Sequence, residues 1–270
     1  MSLSLATLTP KDVPDPQTPA FASLVDRYFA QGQAVIDSLP TWHKKSTYHA
    51  NTVQAYALSK EKRPSLGLDS AEHWVARTST HRLQGSANTS AVYDYFRNGL
   101  LVDHSEQERQ YIESCMESER LQVFREAEAE GLHCRISKGR PPTSPRTFVF
   151  LLLTRELEST TGSRIFMNIS VPFDHPLCLS KQVNEKNRVR GRYISVECVR
   201  EIEVGDKVEW LMATSSDAGG SIPQFLTDWS LAGKVTEDVP SFVEYVNGKI
   251  AAEGDSSGPT TKSKVITLRL

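Results

Sequence analysis

Arg77 and His81 stand four residues apart in the segment WVARTSTHRL. In an extended chain that spacing puts both side chains on one face. A histidine titrates near neutrality and serves as general acid or base, and Arg77 would face the same cavity. The plainer account of His81 is a hydrogen-bonded residue at a strand end. His104, Glu108 and Tyr111 form a second group, in LVDHSEQERQY. A His and a Glu four apart are half of a metal site, but no third ligand follows at a compatible spacing, so a capped helix explains them more simply. Arg155 follows an apolar run; a buried guanidinium needs an acid, and Glu197 is its expected partner. Asp217 precedes Gly219-Gly220 and is expected to accept backbone N–H groups of that loop rather than act as an acid.

Asn168 and Tyr193 offer orienting polar groups among large apolar ones: Phe150, Leu152, Phe166, Trp210, Met212, Phe225 and Trp229. Together with Glu197 these suit an adaptable hydrophobic site, and each apolar member alone would equally fill a core. No GxSxG, glycine-rich phosphate loop or dinucleotide fingerprint is present, so neither a covalent mechanism nor a cofactor is expected. Conformer selection by proximity needs no such motif.

The elements that must position these residues follow from apolar spacing. Gly191–Glu203 and Lys207–Ser215 are rich in β-branched and aromatic residues and flank a Val204-Gly205-Asp206 turn, which predicts a hairpin. Trp210, Met212 and Thr214 share one face of its second strand. The spacing from Ile222 to Gly248 is helical, with Pro223 in the first turn and a kink or restart at Asp238–Pro240. Ala20–Leu39 is a second amphipathic helix, and Trp42–Leu68 carries no clear period. Trp74–Leu83 is the expected first core strand. Ser90 caps a helix over Ala91–Leu100, and Ser105 with Glu108 forms a capping box for the next. Leu121–Phe124 and Gly131–Ser137 are expected short strands, unless Ala127 and Ala129 prolong a helix instead, and Thr147–Leu157 and Arg164–Val171 a hairpin. Phe148–Leu153 is apolar on both faces, so an element must cover its outer side, and Ala20–Leu39 is the obvious one. The final VITLRL follows a flexible linker and either adds an edge strand or stays loose.

Several of these stretches together carry a resemblance. WLMATSSDAGGSIP from Trp210 and DVPSFVEYV from Asp238 resemble the last strand, Ω-loop and C-terminal helix of a START-like (steroidogenic-acute-regulatory-type lipid-transfer) domain. SPRTFVFLLLTREL from Ser144 and ISVPFDHP from Ile169 resemble its two central strands. WVARTSTH, LVDHSEQERQYI and RYISVECV are similar to a fungal branch, the DUF3074 family. The resemblance spans Glu72 to Asn247. It implies an α+β helix-grip fold, a curved antiparallel sheet around a long C-terminal helix, with residues 1–71 as an N-terminal helical extension, 72–250 as the START-like domain and 251–270 as a tail. Members of the superfamily bind sterols, phospholipids, polyketides or plant metabolites between sheet and helix, and some are cyclases.

Composition narrows the partners. Lys and Arg number 31 against 33 Asp and Glu, a net charge of −2, and no basic window is interleaved with aromatics, so nucleic acid is not an expected partner. Cys115, Cys134, Cys178 and Cys198 lack CxxC spacing, which fits scattered reduced thiols rather than zinc or a disulfide framework. No signal-like N-terminus and no run of about 20 apolar residues occurs, so a cytoplasmic protein with at most transient membrane contact is expected. The expected function is binding of a hydrophobic small molecule (lipid, sterol, terpenoid or polyketide). The alternative is a cofactor-independent cyclase, isomerase or lyase of secondary metabolism on the same scaffold, with His81 and Arg77 as its polar groups. A filled regulatory scaffold is a third class.

Overall fold

Long stretches of β-branched and aromatic residues, broken by turns, fold into one twisted antiparallel sheet. A computed structural model describes residues 2–84, 91–102, 104–125, 130–137, 144–158, 162–174, 188–202, 207–220, 231–256 and 267–269. Among these, the chain forms β1 (His43–Tyr48), β2 (Val53–Ala57), β3 (Val75–Gln84), β4 (Cys115–Arg125), β5 (Glu130–Ser137), β6 (Arg146–Leu157), β7 (Ile165–Pro172), β8 (Val189–Arg190), β9 (Arg192–Ile202), β10 (Lys207–Asp217) and β11 (Thr267–Arg269). The sheet runs in the order β1-β2-β3-β10-β9-β7-β6-β5-β4. The short β8 joins β6 in parallel, and β11 pairs with β3 at Arg82–Gln84. The helices are α1 (Pro19–Ser38), α2 (Ala91–Leu100), α3 (His104–Tyr111) and α4 (Asp238–Ser256).

Both faces of this sheet are covered. On the outer face Phe21, Leu24, Val25 and Phe29 of α1 share a core with Val149, Leu151 and Leu153 of β6, Met167 and Ile169 of β7, and Val196 of β9. A Cβ on Gly32 would lie 2.9 Å from Ile169 Cδ1 and 3.0 Å from Met167 Sδ, so glycine is what lets α1 lie directly on the strands. The element expected over the doubly apolar strand is therefore α1. On the inner face α2, α3 and α4 pack against Phe166, Val199, Val208 and Trp210. Phe242 of α4 is fully buried among Phe96, Trp210 and Tyr111, with ring centroids 5.0, 5.1 and 5.2 Å away. A curved sheet gripping a long C-terminal helix is the helix-grip α+β fold that the sequence implied.

The structure also corrects several expectations. Trp74 does not open the sheet: β1 and β2, from the aperiodic Trp42–Leu68 region, precede it and extend the edge of β3. Their signal is weak because all of β1 but half-buried Tyr48 is exposed and lacks any apolar alternation. Arg155 does not reach Glu197. It pairs with Asp26 at 2.8 Å and stacks 4.5 Å over Phe29, because it lies opposite Met167 on the outer face. Ser105 is not a cap: α3 begins at His104, and the buried Ser105 hydroxyl has no hydrogen-bond partner. The C-terminal helix, by contrast, restarts at Asp238 as expected. A helical turn at 231–234 gives way to a turn before α4 starts at Asp238, as a proline two residues later favours. Ser90, the 204–206 turn, Pro223, Phe225 and Trp229 lie outside the described residues.

Asp217 does what its position suggested. Its Oδ1 accepts the N–H of Gly219 at 2.8 Å, and its Oδ2 holds Arg192 Nη2 at 2.5 Å. Gly219 and Gly220 have φ of 65° and 68°, and a Cβ on Gly219 would sit 2.1 Å from the carbonyl oxygen of Arg190, so only glycine fits there. Among the described residues no helix is long and apolar enough to cross a membrane.

Candidate functional site

Register assembles the site. Arg77 of β3 stands opposite Met212 of β10, Met212 opposite Glu197 of β9, Glu197 opposite Asn168 of β7, and Asn168 opposite Thr154 of β6. One cross-strand row on the inner face thus carries a guanidinium, a carboxylate and an amide. The next row in one direction is Ser79, Trp210, Val199 and Phe166; in the other it is Thr214, Ser195 and Ser170. A polar row lies between an aromatic row and a hydroxyl row.

A cavity of about 60 Å³ lies against this surface. Its walls include Arg77, Asn168, Tyr193, Glu197, Trp210 and Met212 from the sheet, closed over by Leu100 of α2, His104, Glu108 and Tyr111 of α3, Ile112, and Asp238 of α4. That is room for about four waters, well below the roughly 300–1,000 Å³ of drug-sized ligand sites. The continuous apolar tunnel of a lipid carrier is not what these residues enclose; the lining is a compact polar cluster within aromatic walls.

Glu197 is well held. Its Oε1 accepts the Trp210 indole N–H at 2.8 Å and its Oε2 an Asn168 N–H at 3.2 Å. Arg77 is not. Its side chain is 1% exposed, its Nη2 lies 3.6 Å from Glu197 Oε1, and its Cζ sits 3.9 Å over the Trp210 ring. Its Nε and Nη1 have no hydrogen-bond partner, and neither has Asn168 Oδ1. Burial lowers the pKa of Arg77, with Glu197, Asp238 and Tyr111 opposing the shift; a guanidinium stays protonated all the same. A buried charge with free donors is costly, and natural proteins retain one where something else meets it.

On the helical side, Asn168 Nδ2 donates to the Leu100 carbonyl at 2.7 Å, and His104 Nδ1 lies 2.5 Å from the same oxygen. His104 Nε2 is 3.7 Å from Glu108 Oε1. The sequence marked His104 and Glu108 as half a metal site. Among the described residues no group of three His, Cys, Asp or Glu side chains could hold a metal ion; the pair instead forms the roof of the cavity.

Other sequence-predicted site residues lie elsewhere. His81 is fully buried, bonded through Nε2 to Ser79 Oγ at 2.8 Å and packed 5.1 Å from Phe96, outside the cavity lining. Phe166 packs against Tyr93 and Phe150 against Tyr193, and Leu152 is buried in the sheet. Leu100, Ile112, Ser170, Ser195 and Asp238 line the cavity without having been marked. The hydroxyl row was visible as polar positions on otherwise apolar strands, whereas Asp238 carried only a helix-start signal.

Solved structures share this architecture. Human StAR-related lipid transfer protein 5 superposes with a TM-score of 0.59 at 15% identity, over 84% of this chain and 99% of that one. Human STARD10 gives 0.58 at 12% identity, over 91% and 94%. A STAR-related lipid transfer protein from Xanthomonas axonopodis gives 0.52 at 16%, over 76% and 98%. At such identities the likeness is one of fold. No curated protein matches the chain in sequence. The profile of the family described as "Protein of unknown function (DUF3074)" matches residues 74–246, from the start of β3 into α4 and so across the whole candidate site; the chain belongs to that family.

Proposed function

We propose that this domain binds a small, largely apolar molecule by one polar end, in the cavity between the sheet and its inner helices. The observation that carries this reading is the buried Arg77, whose Nε and Nη1 have no hydrogen-bond partner, in a cavity that is also lined by Asn168, whose Oδ1 has none. A ligand oxygen that accepts from Arg77 and donates to Asn168 would satisfy both, and Trp210, Met212 and Tyr193 would hold its apolar body. Sterols, terpenoids, polyketides and lipids with a hydroxyl end have this form, and a carbonyl end would satisfy Arg77 alone. A lipid-sized ligand needs more than about 60 Å³, so its entry requires α3 and α4 to part from the sheet. Residues 72–250 are then the ligand-binding body, 1–71 the part that widens the sheet and covers its outer face, and 251–270 the tail. The buried thiols of Cys115 and Cys198, neither in a disulfide, suit a cytoplasmic setting, and loading of a lipid would involve a transient membrane contact.

Native mass spectrometry of protein purified from its own source tests this. Wild type should carry a bound mass, and Arg77→Lys should lose most of it, because lysine keeps a charge for Glu197 but not the planar donors. Equal occupancy in a folded Arg77→Lys variant would overturn the reading.

A further inference from the structure

We propose that the same cavity catalyses proton transfer on an enolisable ketone, with His104 taking an α-proton and Arg77 receiving the oxyanion that develops. This rests on the cavity being the ligand site. The backbone carbonyl of Leu100 can only accept, so the His104 nitrogen 2.5 Å from it, Nδ1, carries the proton. In the neutral ring Nε2 is then the basic nitrogen. Glu108 Oε1 lies 3.7 Å from Nε2, where it stabilises the imidazolium that forms, so Glu108 is a positioning residue. Asn168 holds the Leu100 carbonyl from the other side at 2.7 Å and bridges to Glu197, the carboxylate beside Arg77. Base and oxyanion donor therefore belong to one connected network lining one small space.

The Arg77 donors are preorganised, since the Trp210 ring and Glu197 fix the guanidinium plane before any substrate arrives. Leu100, Ile112, Tyr111 and Trp210 supply the low-dielectric walls that strengthen such contacts. In the step itself the α-C–H bond breaks and its electron pair forms the enolate C=C. The carbonyl π pair moves onto oxygen opposite Arg77, and the proton passes to His104 Nε2. With a β,γ-unsaturated ketone the same imidazolium returns the proton at the γ-carbon and gives the conjugated isomer. Atoms and electrons balance with no co-reactant. The space corresponds to about four waters, on the order of 120 Å³ of liquid, so a ketone no larger than one six-membered ring is the class to try, and even that needs the walls to give slightly.

Cyclohex-3-en-1-one is a probe of this class, since its conversion to the conjugated enone is read by ultraviolet absorbance and its binding by ligand-observed NMR. The full chain should bind it and isomerise it above the buffer rate. His104→Gln should cut the rate by about 10²–10⁴-fold with binding retained, and Arg77→Lys by about 10²–10³-fold. Glu108→Gln, which leaves the base in place, should lower kcat and shift the pH profile with KM little changed. Binding without isomerisation overturns the catalytic assignment and leaves the carrier reading standing. Isomerisation at the wild-type rate in a folded His104→Gln variant overturns His104 as the base. Failure to bind the probe overturns both readings of the cavity for ketones of this size.

Discussion

Trp210 donates its indole N–H to Glu197 Oε1 at 2.8 Å across the β9–β10 pair, so the aromatic floor of the cavity also holds its carboxylate. Arg77 then rests on the face of the same ring. Trp210→Phe keeps an aromatic face but removes the donor. It should cost about 1–3 kcal/mol, the usual penalty for leaving a buried acceptor short of a partner. Urea unfolding of the two proteins measures it, and a loss under about 0.5 kcal/mol, the size of an ordinary surface change, would mean that the bond contributes nothing.

Phe242 is the plug of the inner core. It is fully buried and touches the rings of Phe96, Tyr111 and Trp210, and Gly99 leaves it space, since a Cβ there would lie 2.6 Å from its ring. Phe242→Ala should destabilise by about 3–5 kcal/mol. The same denaturant titration should show the midpoint falling with its slope unchanged.

A chain starting near Ser70 would lose α1, β1 and β2 together. That uncovers the apolar outer side of β6, β7 and β9 and frees the edge of β3. The truncated protein should bind a hydrophobic dye and self-associate in analytical ultracentrifugation. A stable, monomeric fragment would show that residues 1–69 are not needed to cover the sheet.

The Asp217 clamp should be visible in the pH dependence of stability. Burial alone would raise its carboxyl, but the Arg192 guanidinium and the Gly219 N–H outweigh that and hold it below the ordinary value of 3.8. A folded pKa below the unfolded one means the contribution is full above about pH 4 and disappears as pH falls through the lower folded value. Wild type should therefore exceed Asp217→Asn in stability at pH 7, and the gap should close toward pH 3. A gap independent of pH would leave only the hydrogen-bonded loop, without its ion pair.

Much of the architecture could be read from local chemistry. Alternation and β-branching marked β9 and β10, helical spacing marked α1, and Asp217 with two glycines marked the loop after β10. The row formed by Arg77, Met212, Glu197 and Asn168 could not be read, because its members come from four strands and only register brings them into line. The acid that Arg155 meets is hidden for a related reason. Its strand is apolar on both faces, so alternation does not say which way each residue points, and its partner Asp26 lies on α1. His104 and Glu108 were marked by their spacing, but their place over the cavity depends on how α3 packs against the sheet. His81 was marked by its face, which is the inner one; its bond to Ser79 Oγ and the ring of Phe96 take it out of the lining.

The strand that buries least has a consequence of its own. Apart from Tyr48, β1 is exposed along its length, it ends the sheet, and it reads His43-Lys44-Lys45-Ser46-Thr47-Tyr48. A free edge presents unpaired N–H and C=O groups to any other extended chain, including a second copy. The charges of Lys44 and Lys45 in its first half make that approach repulsive between copies. Exchanging Lys44 and Lys45 for valine would leave every contact of the cavity intact and turn the end of the sheet into a template for intermolecular β-pairing, so these lysines protect the protein against its own kind rather than against unfolding.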